Sequence, residues 1–185
     1  MATNVDAAAV LAQWQAEGDA VRARIGKGGV ARPAQVAGKT GLQVFEAMLA
    51  GELPSAPIAH LMDFTLIAAS HGRTVFQGRP GPQHYNPMGA VHGGWFATLL
   101  DSALGCAAHA TLPAGKLYTT AELKINIVRP LTDKVPLVRA IGQVIHVGNR
   151  MITADARLTG PDGKLYAHGS TTCFVFDAPA SGSTS

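Results

Sequence analysis

The sequence has few cysteines, little clustered charge and no long apolar run. Its two cysteines, Cys106 and Cys173, form no CxxC pair. This excludes a disulfide framework and favours a reducing compartment. The sequence has fifteen Lys and Arg and twelve Asp and Glu, so its net charge is only +3, and the basic residues are scattered. We therefore expect no nucleic-acid-binding surface.

Segments for membrane insertion or export are not expected either. A membrane helix needs roughly 18 apolar residues, and His92 and Asp101 interrupt the longest apolar run. No basic residue precedes an apolar stretch near the start, which argues against a signal peptide. The histidines lack the tight spacing of metal ligands, so no metal site is expected. Together these absences predict a soluble cytoplasmic protein that binds no membrane.

What the sequence does contain is enough apolar material for one core. Of its 185 residues, 47% are hydrophobic, which is typical of one domain with extended ends. Apolar residues at three-to-four residue intervals predict an amphipathic helix over 6–25, and a Gly-, Pro- and Ala-rich stretch predicts a linker over 26–38. We divide the chain into a helical arm and linker (1–41), a main domain (42–176) and a flexible tail (177–185).

The main domain combines helical and two-residue periodicity. Leu123, Ile125 and Ile127 alternate with polar residues, which predicts a strand with one apolar and one wet face. The segment 93–110 is apolar on nearly every side and predicts a long helix that is covered all round. These features predict an α+β fold, an antiparallel sheet wrapped around one central helix, with an extra N-terminal helix. Short helices are expected at 42–50 and 57–62, and strands at 64–70, 73–78, 119–128, 137–147, 151–158 and 164–176.

The start of the long helix has the composition of a reaction site. Gly93 and Gly94 allow the backbone to approach a ligand closely, and the first amides of a helix lack intrahelical partners. Asp101 lies about two turns further along, where a lone acid is costly to bury unless it is used or paired. Most of its helical neighbours are small, so this face should border an acyl slot or a close helix crossing at a dimer axis.

Three features together resemble the hotdog-fold acyl-CoA thioesterases of the phenylacetate-degradation (PaaI-like) type. They are the segment 86–94 (NPMGAVHGG), Asp101, and the segment 119–130 (TTAELKINIVRP). The resemblance extends over about 42–176. It implies the hotdog fold, hydrolysis of an acyl-CoA thioester to a free acid and coenzyme A, and assembly into a homodimer, with a homotetramer expected. It implies no cofactor, since coenzyme A is part of the substrate.

The resemblance also implies roles for individual residues. The Gly93 amide would polarise the thioester carbonyl, and Asp101 would act as general base or nucleophile across the dimer interface. His92 and Asn86 would orient thioester and water, and the Thr120 hydroxyl would hold the attacking water. Strict alternation, however, places Thr120 on the face opposite Leu123. Thr119, or a β-bulge, is therefore the alternative.

Further positions are candidates for binding the substrate, above all its coenzyme A part: Gly94, Thr119, Arg129, Gly148, Asn149 and Arg150. Plainer roles stay open for several residues. His92 could cap the helix, Asn86 could shape a turn, and Asp101 could pair with an arginine in a dimer core. The charges at Arg129 and at the expected hairpin 148–150 could be merely solvated.

Another class of function also stays open. Hotdog domains include non-hydrolytic acyl-CoA binding modules and hydratases or dehydratases. In the hydratases the Asp precedes the His, whereas here His92 precedes Asp101 by nine positions, which argues against hydration. The sequence leaves open the acyl group, the choice between base and nucleophile for Asp101, and the arrangement of any tetramer.

Overall fold

Six antiparallel strands and one long helix form the main domain of the computed structural model, which describes residues 6–26 and 28–179. Most of the predicted tail, 180–185, and Lys27 of the predicted linker lie outside these ranges. The helices are α1 Ala7–Arg24, α2 Pro33–Val36, α3 Gly41–Leu49, α4 Pro57–Leu61 and α5 Gly93–His109. The strands are β1 Phe64–Ser70, β2 Arg73–Gly78, β3 Lys116–Ile127, β4 Val138–Val147, β5 Met151–Thr159 and β6 Leu165–Asp177.

The strands lie in the order β1-β2-β4-β5-β6-β3, and every neighbouring pair is antiparallel. Helix α5 packs across one face of this sheet and connects β2 to β3 at the far edge. Alternate residues of β5 face the helix and are buried, as the two-residue period predicts; they are Ile152, Ala154, Ala156 and Leu158. The predicted α+β architecture, with its central helix and its additional N-terminal helix, is confirmed.

Helix α5 is buried by the sheet on one side and is partly open on the other. Leu99, Leu100 and Leu104 are fully buried in the main core. Gly142 of β4 lets the helix approach closely, because any side chain there would collide with the backbone of Ala103. A strip of α5 remains partly exposed; it comprises Gly94, Ala97, Thr98, Asp101 and Ser102. The expectation that the helix is covered all round is therefore wrong for a single chain.

Helix α1 packs on the opposite face of the sheet through polar contacts. The side-chain amide of Gln77, itself fully buried, donates to the Trp14 carbonyl at 3.1 Å. The Arg139 guanidinium lies 4.7 Å from the Trp14 ring centre and pairs with Glu17 at 2.6 Å. Only Gly18 and Val21 of α1 are buried. The predicted apolar stripe lies on the covered side of this helix, because Val10, Leu11 and Trp14 are half-buried and Val21 is buried. The polar pairs add to this contact.

Several element boundaries differ from the sequence-based expectations. The predicted linker contains the short helix α2, which Pro33 begins, and a 3-10 turn at Pro82–His84 precedes the Asn86 loop. Strand β3 begins three residues before the predicted Thr119, because Lys116 still pairs with Asp177 on β6. No helix within the described ranges is long and apolar enough to cross a bilayer.

Candidate active site

The loop before α5 is closed by the side chain of Asn86. Its Oδ1 accepts hydrogen bonds from the backbone amides of Met88, at 2.9 Å, and Ala90, at 3.3 Å. Gly89 adopts a positive φ of 81° within this turn, a conformation that suits glycine. The Asn86 oxygen is therefore committed to shaping the loop, whereas its Nδ2 has no hydrogen bond to a described residue.

His92 caps the N-terminus of α5. Its backbone is extended, and its Nδ1 accepts from the Gly94 amide at 2.9 Å. Nδ1 is thus an acceptor, so Nε2 carries the proton if the ring is neutral. The Gly94 amide, a predicted substrate donor, is occupied by this cap. The amide of Gly93, the first residue of the helix, has no acceptor among the described residues, which leaves it as the free donor at this terminus.

Gly93 also lacks a side chain where space is limited. A Cβ at this position would lie 3.4 Å from Cδ1 of Ile127, at the end of β3. The helix terminus therefore lies directly against the end of β3. The side chains of Ile127 and Val128 are exposed beside it, and Met88 of the preceding loop is also exposed.

Asp101 lies on the partly exposed strip of α5 and contacts β3. Its Oδ1 accepts a hydrogen bond from Oγ1 of Thr120 at 3.1 Å. No arginine or lysine forms an ion pair with this carboxylate within the described ranges. The second carboxylate oxygen is therefore free to accept another hydrogen bond. The arginine considered from the sequence was one in a dimer core, and that pair stays a prediction.

A β-bulge in β3 decides which threonine reaches Asp101. The pairing of β3 with β6 shifts between Thr120 and Glu122, so Ala121 is the extra residue. Because one additional residue reverses the alternation, Thr120 lies on the same face as Leu123, towards the helix. Thr119 lies on the outer face, opposite the exposed Phe174.

Two thiols and a phenol lie beside the Asp101–Thr120 pair. Burial raises the pKa of the Cys106 thiol to about 12, with a smaller contribution from the Asp101 charge. Burial likewise raises the pKa of Tyr118 well above its ordinary value. The Tyr118 ring fills the space above Gly105, where a Cβ would lie 2.7 Å from its hydroxyl. This end of the small-residue face borders neither an acyl slot nor a helix crossing, because the chain's own tyrosine occupies it.

The other end of that face opens into a cavity of about 310 Å³. The cavity lies beside the helix terminus and is lined in part by aromatic rings; its walls are Met62, Gln83, His84, Tyr85, His92, Gly94, Trp95 and Thr98. His84 is buried, and burial lowers its pKa. A larger cavity, of about 510 Å³, lies beside α3 and is lined by Lys39, Glu46 and Glu52 among others. It contains none of the predicted site residues.

The predicted site residues form two separate groups within one chain. Gly93 and Asp101 are eight residues apart on α5, which corresponds to about 12 Å along the helix axis. One thioester carbonyl cannot contact both. Arg129 follows the Ile127 end of β3, whereas the 148–150 hairpin lies at the level of Thr119, about 26 Å away along the strands. The first group comprises Asn86, His92, Gly93, Gly94 and Arg129. The second comprises Asp101, Thr119, Thr120, Gly148, Asn149 and Arg150.

The charged candidates for coenzyme A binding are exposed and weakly held. Arg129 donates from Nε to the Leu165 carbonyl at 3.4 Å, and Arg150 stands on the exposed hairpin between β4 and β5. Neither forms an ion pair with a described residue. In the described ranges, no cluster of three or more His, Cys, Asp or Glu side chains could hold a metal ion.

Comparison with known proteins agrees with this architecture. Residues 88–167, from the Asn86 loop to the start of β6, match the thioesterase superfamily. The chain resembles hotdog-fold thioesterases. A putative thioesterase from Ralstonia eutropha, described as related to phenylacetic acid degradation, is 27% identical to it. That match covers 70% of this chain and 98% of the Ralstonia protein, with a TM-score of 0.64.

Two further solved structures resemble this chain. A conserved protein from Pseudomonas aeruginosa is 26% identical over 65% of this chain and 94% of its own, with a TM-score of 0.61. The PaaI protein of E. coli, from the phenylacetic acid degradation operon, is 20% identical over 75% of this chain and 94% of its own, with a TM-score of 0.64. At that identity the E. coli protein is evidence for the fold alone. The predicted resemblance to PaaI-like hotdog thioesterases is confirmed.

Sequence reasoning missed three residues around the candidate site. Tyr118 precedes the recognised 119–130 segment, and Thr171 reaches β3 from a strand 49 residues later. His84 precedes the Asn86 motif by two residues and contributes to the cavity wall. A histidine so close to a functional loop was the one available signal. The other two contacts depend on strand pairing that a single sequence does not reveal.

Proposed function

We propose that the enzyme hydrolyses acyl-CoA thioesters at sites that each combine the Gly93 group of one subunit with the Asp101 group of another. The proposal rests on two features of helix α5. The Gly93 amide at its N-terminus is free, and the Asp101 carboxylate, about 12 Å further along, accepts a hydrogen bond from Thr120. Each group has the chemistry of half a thioesterase site, and their separation requires a second copy to complete it.

The free Gly93 amide is the proposed donor to the thioester oxygen. Attack on the carbonyl carbon produces a tetrahedral intermediate with a negatively charged oxygen. A fixed N–H at a helix N-terminus stabilises such an oxyanion, and the Gly94 amide cannot share this task while His92 holds it. Removing one oxyanion donor typically costs roughly 10²–10³ in kcat.

Asp101 is the proposed general base, and Thr120 the residue that holds the attacking water beside it. Water loses a proton to the carboxylate as its oxygen bonds to the carbonyl carbon. Collapse of the intermediate then breaks the C–S bond and releases the coenzyme A thiolate. Direct attack by Asp101 would instead form a mixed anhydride. A single turnover in ¹⁸O-labelled water distinguishes the two routes, because only direct attack leaves the label in the enzyme.

The free edge of β3 is the proposed dimer contact. Its twelve residues end the sheet, and a long unpaired edge is usually covered. Antiparallel pairing with a second copy, centred on Lys124, pairs Leu123 with the partner subunit's Ile125. Because Ala121 is an extra residue, the same register places Ile127 opposite the partner subunit's Thr120. Gly93 lies against Ile127, so this register brings it towards the partner subunit's Asp101. The same contact would cover the open strip of α5.

This register also supports a site for coenzyme A. It brings Arg129 of one subunit to the same end of the joined sheet as the partner subunit's Asn149 and Arg150. The phosphates of coenzyme A would meet unpaired positive charge there. In this arrangement, His92 Nε2 and Asn86 Nδ2 are the proposed donors that orient the thioester, and the cavity beside Trp95 would receive the acyl group.

Turnover of a panel of acyl-CoAs, followed by release of free thiol, tests the proposal. We expect hydrolysis by the wild type and a loss of at least 100-fold in kcat for Asp101→Asn. Asp155→Asn, an exposed carboxylate on the outer face of β5, is the matched control and should be unaffected. Tight binding of acyl-CoA without turnover would instead support a non-hydrolytic binding module. Equal activity of the two variants would remove Asp101 from the mechanism.

A further inference from the structure

A buried hydroxyl on β6 holds the β-bulge that turns Thr120 towards Asp101. Oγ1 of Thr171 donates to the backbone carbonyl of Glu122 at 2.7 Å, directly beside the extra residue Ala121. Thr171 is only 2% exposed. This bond runs from a side chain to a strand backbone, so it does not belong to the regular ladder between β3 and β6.

The position of this bond matters because a bulge disrupts the ladder locally and leaves backbone groups without their ordinary partners. A buried carbonyl without a donor is costly. The Thr171 hydroxyl satisfies the Glu122 carbonyl from the helix-facing side of the sheet and thereby stabilises the bulged register. In a regular register the alternation would continue through Ala121, and Thr120 would point to the outer face.

The contacts from Thr171 continue to the reacting group. Cys173 lies two residues further along β6, with its Sγ 4.0 Å from the Thr171 hydroxyl. Cys173 is also the cross-strand partner of Thr120. Thr120 in turn donates to Asp101 at 3.1 Å. The hydroxyl of Thr171 thus lies within one packed group of side chains that ends at the proposed base.

We infer that Thr171 is a positioning residue for hydrolysis, which acts by fixing the bulge that aims Thr120 at Asp101. This inference rests on the proposed function. Thr171 need not touch substrate or water. Its effect passes through Thr120, so the two residues should be coupled in turnover.

The neighbouring residue provides a matched control. Thr172 bonds the same glutamate on the opposite face, where its Oγ1 donates to the Glu122 side chain at 3.3 Å. Thr172→Val therefore removes a hydroxyl of the same kind from the same strand, but it leaves the bulge carbonyl satisfied. Thr171→Ser retains the required donor and loses only a methyl group.

The experiment is a double-mutant cycle on kcat between Thr171→Val and Thr120→Val, with Thr171→Ser and Thr172→Val alongside. We expect Thr171→Val to lower kcat roughly tenfold with KM nearly unchanged, a loss that small misplacements readily cause. The serine variant and Thr172→Val should keep wild-type kcat. The double variant should be no slower than Thr120→Val alone, because the hydroxyl that Thr171 positions is already missing.

A structural readout accompanies the kinetics. The backbone amide resonances of Ala121 and Glu122 should shift in Thr171→Val and stay in place in Thr172→Val. Should the valine variant not fold, comparison of Thr171→Ala with Thr171→Ser provides the same test. Additive losses in the cycle, wild-type kcat in the valine or alanine variant, or failure of serine to restore kcat would each overturn the inference.

Asp101→Asn, assayed in parallel, separates this inference from the proposed function. An inactive Asp101→Asn together with additive losses at Thr120 and Thr171 would overturn only the role of Thr171. An active Asp101→Asn would overturn the proposed mechanism and this inference with it.

Discussion

The Thr120 hydroxyl donates to the Asp101 carboxylate across 3.1 Å, although strict alternation along β3 would turn it away from the helix. The single extra residue Ala121 reverses the alternation at this point. The catalytic proposal for Thr120 therefore depends on a local irregularity of the sheet.

The two adjacent threonines should differ in function. Thr120→Val removes the hydroxyl beside Asp101 and should lower kcat roughly tenfold or more, as expected for loss of a group that orients the reacting water. Thr119→Val changes the outer face and should leave kcat within twofold of the wild type. Steady-state kinetics of the two variants decide the matter. The reverse order of effects would mean that β3 is regular in solution.

The two roles of His92, helix cap and proposed thioester donor, can be separated by substitution. His92→Ala removes the cap on the Gly94 amide and should lower the free energy of unfolding by about 1 kcal/mol. His92→Asn can cap the helix but lacks the Nε2 donor, so it should regain most of the stability without regaining kcat. Urea denaturation and turnover are measured on both variants. Full activity in His92→Asn would leave His92 with a capping role alone.

The thiols near Asp101 should be inert in the folded enzyme. Because burial raises the pKa of Cys106 to about 12 and also raises that of Cys173, little thiolate forms at pH 8, and the thiolate is the reactive species. A disulfide reagent should modify both cysteines in denaturant and neither, on a scale of minutes, in the native enzyme. Rapid native labelling of Cys106 with loss of activity would contradict this expectation.

His109 should make stability sensitive to acid. Its ring packs against Phe45 and Tyr118, with centres 5.3 and 5.4 Å apart, and burial lowers its pKa. The unfolded chain therefore binds the proton more readily, so stability present above about pH 6.5 is lost as pH falls below that value. His109→Phe, which retains a ring, should show a smaller drop in melting temperature between pH 7.5 and pH 5.

The control for that measurement is His146→Gln, a substitution of an exposed histidine. It should show the same drop as the wild type. His84, whose pKa is also lowered by burial, remains in both variants, so some acid sensitivity should persist. An unchanged drop in His109→Phe would mean that other groups cause the acid sensitivity.

The sequence allowed prediction of the sheet, the central helix and the resemblance to hotdog thioesterases, since these depend on local patterns. Alternation from Ile152 to Leu158 marks a one-sided strand, and the two glycines after His92 mark a helix entrance. The bulge at Ala121 could be named only as an alternative to a Thr119 contact, because it involves a hydroxyl from Thr171 on another strand. The apolar stripe of α1 was predicted, but the polar pairs that join it to the sheet, such as Arg139 with Glu17, were not, because they link residues far apart in the sequence.

The site itself was predicted as a list of residues but not as a geometry. Helix spacing alone already separates Gly93 from Asp101 by about 12 Å. The sheet register adds that Arg129 and the 148–150 hairpin lie at opposite ends. How two copies bring these groups together depends on contacts between chains, which no periodicity within one chain encodes.

Complementation between two inactive variants tests the central claim most directly. Gly93→Pro deletes the proposed oxyanion donor while suiting the first helical position, and the extended His92 tolerates a following proline. Asp101→Asn disables the other group. In a mixed dimer one site carries both defects and the other carries neither. Random mixing should therefore restore about a quarter of wild-type activity if the groups act across the interface.

Both parent homodimers should be nearly inactive, and native mass spectrometry should show the mixed dimer at its statistical share. Activity near a quarter of the wild type is the result we predict. Mixed dimers that form in full yet stay as inactive as their parents would contradict the account, since they would mean that Gly93 and Asp101 act within the same subunit.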